Sequence, residues 1–224
     1  MTKKQKKERI ADIVQRLKQI YPSAECALEY EGEPWKLLIM GRLSAQCTDK
    51  RVNLVCEDLF RRYPTLSSLA DAPLEDIENG IRSCGLYKTK AKNIKDSCIM
   101  LRDVYGGELP VEMDELLKFP GVGRKIANLL RGDIFRLPAI VADTHCIRIG
   151  GRLGMYAESL KDPTKVEKIL SDLVEPTEQS DFCHRIVLLG REFCMARSPR
   201  CHECPLKDLC QKNARGSAPN PASL

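Results

Sequence analysis

Three groups of residues in this chain of 224 have types and spacings suited to chemistry. The first is Lys125, which follows Phe119-Pro120-Gly121-Val122-Gly123-Arg124. A neutral amine is a good nucleophile, and a helix N-terminus beside other cations lowers a lysine pKa. The alternative is an ordinary surface charge. The second is Asp143, at the end of the apolar run Ala139-Ile140-Val141-Ala142 and just before Thr144-His145. A carboxylate there can stabilise positive charge developing on a sugar ring, and it can equally be a helix N-cap. The third is Cys194, Cys201, Cys204 and Cys210, spaced C-x6-C-x2-C-x5-C. So dense a cluster points to a metal centre rather than disulfides. Zinc and an iron–sulfur cubane both take four cysteines. A zinc ribbon usually shows two CxxC knuckles where this chain has one, and the wide loops suit the larger object. Neither ferredoxin-type spacing fits. Arg197, Arg200 and Lys207 in or beside these loops are either solvated charges or phosphate contacts.

The elements that must position these groups read as helices almost throughout. Ile10, Ile13, Val14, Leu17 and Ile20 form one apolar stripe. Trp35 to Leu43 is apolar on nearly every side, as a central helix would be. Thr48-Asp49 can cap a helix carrying Val52, Val55, Cys56, Leu59 and Phe60. A helix is expected over Leu74 to Ser83, stopped by Gly85, and another from Thr89, stopped by Gly106-Gly107. A short helix from Met113 to Lys118 runs into the Pro-Gly-Val-Gly turn, and further helices are expected over 124–131, 144–154, 164–174 and 180–194. No β-hairpin signal and no internal repeat stands out. In the turn, Gly121 and Gly123 permit backbone conformations closed to other residues and let amide groups approach an anion at the start of the next helix. A connection that needs glycine for geometry alone remains open.

Composition bounds the class. The hydrophobic fraction of 43% is ordinary for a globular protein. No apolar run reaches the roughly 18–20 residues that cross a bilayer, and no apolar signal core follows the basic start Met1 to Arg9. An intracellular protein is expected. The formal charge of +5 points only weakly to nucleic acid. The seven cysteines outside the cluster (Cys26, Cys47, Cys56, Cys84, Cys98, Cys146 and Cys183) read as small buried hydrophobes. The small, polar, proline-bearing tail from residue 213 is expected to be disordered.

Taken in order, these elements resemble the endonuclease III branch of the helix-hairpin-helix DNA glycosylases. The likeness runs over roughly residues 8–212. It is carried by Leu43-Ser44-Ala45-Gln46-Cys47-Thr48-Asp49, Gly85-Leu86-Tyr87, Phe119 to Lys125, Val141-Ala142-Asp143-Thr144-His145 and the cysteine set. The resemblance implies an all-α, two-lobed fold. A six-helix barrel lobe with the hairpin would span 27–137. An iron–sulfur lobe would combine 1–26 with 138–212, and 213–224 would be a tail. It further implies a [4Fe–4S] cluster on the four cysteines and double-stranded DNA with damaged bases or abasic sites as partner. A monomer free of membranes, cytoplasmic and associated with the nucleoid, is expected.

The same likeness assigns roles. Gly121, Val122 and Gly123 would hold the DNA backbone, with Arg197 and Arg200 as further contacts. Gln46 and Leu86 would wedge into the space left by a flipped nucleotide, although by themselves they read as a helix-end polar residue and a core leucine. Lys125 would attack the sugar C1′, Asp143 would support the charge, and a Schiff base would permit β-elimination. Oxidised or ring-saturated pyrimidines and abasic sites are the implied substrates. Two departures from the family pattern, Ile149-Gly150-Gly151-Arg152 and Ala142, put lesion preference in doubt. An adenine glycosylase is the rival within the superfamily. It lacks the nucleophilic lysine and carries a carboxylate near the first barrel helix, whereas Lys36 to Gln46 holds no acidic residue. A non-catalytic DNA-binding iron–sulfur protein is the rival from another class.

Overall fold

A computed structural model describes residues 3–212. The tail expected to be disordered lies outside them. Among the described residues there are eleven α-helices and two 3-10 turns, with no strand. None of the helices is long and apolar enough to cross a membrane. The chain divides into two compact units. One is Cys26–Arg136, and the other joins the residues before Cys26 to those from Leu137 onward.

The Cys26–Arg136 unit carries α2 (Pro34–Leu43), α3 (Asp49–Arg62), α4 (Leu66–Asp71), α5 (Leu74–Gly80), α6 (Tyr87–Asp103), α7 (Met113–Leu116) and α8 (Arg124–Asp133). Seven of the ten residues of α2 are buried, because α3, α6 and α8 all pack on it. Thr48 caps α3 through the Arg51 amide. The helix α4 has no counterpart in the sequence expectations. Its signal is a capping box in which Thr65 accepts from Ser68 N–H and the Ser68 hydroxyl accepts from Thr65 N–H. Serine fills the place where glutamate or glutamine is the usual cue.

Two boundaries differ from expectation. The helix begun at Leu74 ends at Gly80, and the chain continues through a 3-10 turn, Arg82–Cys84. Gly85 follows in a positive-φ conformation (+70°). Next, α6 starts at Tyr87 with Leu86 as its N-cap, two residues before the Thr89 start that was expected. Both shifts place Leu86 in a tight connection.

In the other unit, α1 (Lys3–Ile20) presents its apolar stripe to α11 (Gln179–Glu192), which also packs on α9 (Thr144–Arg152). Ile10, Ile13 and Leu17 are fully buried. Here too lies α10 (Pro163–Leu173), capped by Asp162. Arg185 is buried on α11 and satisfied by the Glu178 and Asp181 carboxylates at 2.7 and 2.9 Å and by the Tyr21 carbonyl at 3.3 Å. Lys18 on α1 meets the same Glu178 at 2.5 Å. These cations hold the Glu178 carboxyl below its usual range, Lys18 contributing most.

The seven outlying cysteines are all free, but only five are fully buried. Cys26 and Cys47 are half-buried. Nor are all of them passive, because Cys183 Sγ accepts from Val141 N–H at 3.2 Å.

The α9–α11 crossing depends on a missing side chain. A Cβ on Gly190 would collide with His145 Nδ1 and stand 2.8 Å from Ile149 Cδ1. Gly190→Val is therefore expected to destabilise by about 1–3 kcal/mol, lowering Tm by roughly 2–10 °C. Thermal unfolding followed by circular dichroism checks this. An unchanged Tm would mean that the two helices do not depend on this close approach.

Candidate functional site

The turn between α7 and α8 is built from inside outward. Phe119 is buried and stacks on Tyr105, with ring centroids 5.3 Å apart. Val122 is buried too, and its N–H donates to the Phe119 carbonyl at 3.0 Å. Between them Gly121 takes φ +76°, a region that side chains rarely tolerate. The place of its missing Cβ is filled by Arg42 from α2 and Asn93 from α6. With its amide turned to suit its neighbours, Asn93 accepts from Arg42 Nε and Nη2 at 3.1 Å and donates to the Thr89 carbonyl. Burial pulls the Arg42 guanidinium below its ordinary pKa. Gly123 is the N-cap of α8 and faces open space. No side chain caps this helix, so its positive end is presented outward. Lys125, second residue of α8, is exposed.

Gln46 and Leu86 share an unusual feature. Both have left-handed backbones, φ +56° and +48°, and both are exposed. Leu86 is 61% exposed, so it is not a core leucine. Gln46 lies beyond the end of α2 at Leu43.

Asp143 is the N-cap of α9. Its Oδ1 accepts from Cys146 N–H at 2.7 Å, and its own N–H donates to the Val141 carbonyl at 2.8 Å. The cap uses one carboxylate oxygen, Oδ1, of the two. Just before it, the Val141–Cys183 contact anchors the chain. A hydrogen bond from the Cys146 thiol to Cys183, and after it burial, push the Cys146 thiol far above its usual range. The glycine pair in α9 has a packing role. A Cβ on Gly150 would lie 2.9 Å from Tyr156 Cζ, whose hydroxyl donates to the carbonyls of Cys146 and Ile147 at 2.9 and 3.1 Å. Tyr156 thus occupies the space that a larger residue at 150 would take.

The four cysteines line one cavity with apolar walls from Ile149, Leu189 and Phe193. Among the described residues no three His, Cys, Asp or Glu side chains are arranged to hold a single metal ion. Four thiols set around a common space, rather than meeting at a point, suit a cubane better than zinc. Burial raises the Cys204 thiol, and Cys194, Cys210 and Cys201 raise it further. Ionising all four therefore needs positive charge nearby, and arginines supply part of it. Arg152 Nη1 lies 3.4 Å from Cys194 Sγ and donates to the Met195 carbonyl at 2.7 Å, while Nη2 reaches Ala196 O at 3.0 Å. Arg148 Nη2 donates to Cys194 O at 3.1 Å. Arg9 on α1 donates to the carbonyls of Leu153, Leu209 and Gly154 at 2.7, 2.8 and 3.1 Å. Arg197 and Arg200 are exposed on the cysteine loop, and Arg200 has only a loose pairing with Glu203, at 3.6 Å.

Sequence reading missed Arg9, Arg148 and Arg152, because nothing in their spacing marks them as partners of a loop so far along the chain. It also missed Lys90, whose helical position gives no hint of burial. The geometry joins the glycine turn and Lys125 on one hairpin and gathers the four cysteines. Lys125 and Asp143 fall in different units.

An all-helical chain with a glycine hairpin and a four-cysteine loop defines a class, the helix-hairpin-helix repair proteins. Residues 39–176 match the HhH-GPD superfamily of base excision DNA repair proteins, and residues 194–210 match the iron–sulfur binding domain of endonuclease III. Endonuclease III of Bacillus subtilis (strain 168) is 43% identical over 198 residues, 88% of this chain and 89% of that protein. A non-covalent endonuclease III–DNA complex superposes with TM-score 0.88 at 42% identity, covering 96% of this chain and 98% of the other. A trapped endonuclease III–DNA covalent intermediate gives 0.87 at 42% identity, covering 96% and 99%.

The chain belongs to the endonuclease III family. Its activity is that of a base excision repair DNA glycosylase and AP lyase, and its cofactor is a [4Fe–4S] cluster.

Purified protein is expected to be coloured and to contain about four irons per chain. Cys204→Ser should lose iron and visible absorption together. A colourless, folded, zinc-loaded preparation would overturn the cluster assignment.

Proposed function

We propose that Lys125 is the nucleophile and Asp143 the charge-stabilising carboxylate in the removal of oxidised or ring-saturated pyrimidines from duplex DNA. The observation that carries this reading is the hairpin itself. It sets an exposed amine in the first turn of α8, directly after a turn whose Gly121 can bear no side chain. An uncapped helix N-terminus favours a phosphate. The amides of Gly121 to Gly123 then hold the backbone beside the lesion, and Lys125 stands next to the sugar.

The chemistry follows. The duplex bends and the damaged nucleotide turns out of the stack, most cheaply where it already stacks poorly. Exposed Leu86 and Gln46 fill the gap. Lys125 Nζ, unprotonated, bonds to C1′ as the N-glycosidic bond breaks, and the base leaves with its bonding electrons and gains a proton. Asp143 stabilises the positive charge on the sugar. Ring opening gives a protonated imine, which acidifies C2′. Loss of a C2′ proton then breaks the C3′–O bond, leaving a 5′-phosphate on the departing strand and an unsaturated aldehyde held by the enzyme. Water releases the aldehyde and restores the amine. Arg197 and Arg200 contact phosphates outside the site. The cluster's part is to hold the cysteine loop. We place the working enzyme, a monomer, on nucleoid DNA in the cytoplasm.

Borohydride trapping on abasic duplex DNA tests the nucleophile. Wild-type protein should give a covalent adduct and Lys125→Ala none, while binding persists. A full adduct from the variant would overturn the assignment.

A second comparison separates catalysis from capping at residue 143. Asp143→Asn keeps an oxygen for Cys146 N–H but removes the charge. Base excision should fall about 100-fold or more with Tm nearly unchanged, whereas Asp143→Ala should also lose about 1 kcal/mol of stability. Full activity in Asp143→Asn would reduce the residue to a helix cap.

A further inference from the structure

One buried cation has no part in the chemistry above. Lys90, in the first turn of α6, is 0% exposed, although lysine is almost never fully buried unless paired. Its ammonium donates to three backbone carbonyls: Leu43 and Ala45 at 2.8 Å and Cys84 at 2.9 Å. These use all three of its N–H groups. Leu43 is the last residue of α2, where carbonyls lack helical partners, so Lys90 caps that helix from another one. Ala45 directly precedes Gln46, and Cys84 lies two residues before Leu86. Burial first, and then the neighbouring Cys47 thiol, push Cys84 up to about 11. One ammonium therefore joins the loop that carries Gln46 to the turn that carries Leu86. Both residues hold left-handed conformations, which persist only where the surroundings over-determine them.

We propose that Lys90 is a positioning residue whose bonds to Leu43, Ala45 and Cys84 fix the spacing of the two loops, so that Gln46 and Leu86 enter the duplex together. The proposal rests on the wedge reading above and adds that the two wedges are one device. A residue that only stabilised the fold would affect every activity alike. A positioning residue affects those steps that need the wedges, and displacement of a positioning group by about 1 Å can cost on the order of 100-fold.

The test uses the full cluster-bound protein and the variants Lys90→Met, Lys90→Gln, Gln46→Ala and Leu86→Ala. One readout is the fluorescence of 2-aminopurine placed opposite a tetrahydrofuran abasic analogue in a duplex, which rises as the bases unstack. Another is lesion excision from a duplex of the same sequence that carries a ring-saturated pyrimidine in place of the analogue. A third is borohydride trapping on a single-stranded abasic oligonucleotide, which has no opposite strand to open.

Lys90→Met should lose most of the fluorescence rise and about 10- to 100-fold in excision, with single-strand trapping intact. Lys90→Gln, which keeps two N–H donors, should recover part of both, and it carries the same comparison if the methionine variant does not fold. Normal fluorescence and excision in both Lys90 variants, with losses in Leu86→Ala, would overturn the Lys90 proposal and leave the wedges standing. No loss in Gln46→Ala or Leu86→Ala would overturn the wedge reading itself. Equal losses on single-stranded and duplex DNA would make Lys90 a stability residue and end the proposal.

Discussion

The hairpin turn exists because two helices meet it at a point where it carries no side chain. Arg42 from α2 and Asn93 from α6 pass through the space where a side chain on residue 121 would stand, and only glycine accepts φ +76° there without strain. The Arg42–Asn93 pair in turn depends on the Thr89 carbonyl, so the first turns of α6 support the turn between α7 and α8. The same region of α6 holds Lys90, which supports the loops after α2 and before α6. One helix end thus supports both the amides of the glycine turn and the two exposed side chains at 46 and 86. Position along α6, rather than proximity in sequence, is what groups them.

The cysteine loop is held on a different principle. It contains no α-helix among its described residues, and its carbonyls are collected by arginines from distant segments: Arg9 from α1, Arg148 and Arg152 from α9. Guanidinium suits this use because its planar fork donates to several carbonyls at once and stays charged. The same cations offset the mutual repulsion of four thiolates. Arg16 adds a contact from α1 to the Asp208 carboxylate at 2.5 Å. A cluster bound there would sit on a loop that these bonds already tie to α1 and α9.

Much of this was readable from the chain. The period of apolar residues marks α1 and α3, the unbroken apolar run marks α2, and the Thr48 cap stands where its side chain indicates. The four cysteines are visible because their chemistry is dense and local. Less could be read where a decision is made by tertiary contact. The capping box at Thr65 uses serine in place of glutamate, and α4 went unseen. The helix from Leu74 stops at Gly80, and the chain turns through Arg82–Cys84 into the connection that carries Leu86. Lys90 looks like any helical lysine, since its partners are backbone carbonyls, which no sequence pattern displays. Gly150, one of the departures from the family pattern, is the seat of Tyr156, a packing partner that no local pattern displays.

The left-handed residues show why such places resist reading. A non-glycine residue at positive φ costs of order 1–3 kcal/mol, so local propensity votes against Gln46 and Leu86 standing as they do. Leu86 also keeps 61% of its surface in water, forgoing part of the roughly 1.5–3 kcal/mol that a buried leucine contributes. A globular fold selected for stability alone would correct both. Their persistence means that the surrounding bonds outweigh the local cost, and the Lys90 ammonium contributes three of those bonds. Sequence rules describe what each residue prefers. A working surface is found where several residues are held against their preferences by one that gives no outward sign.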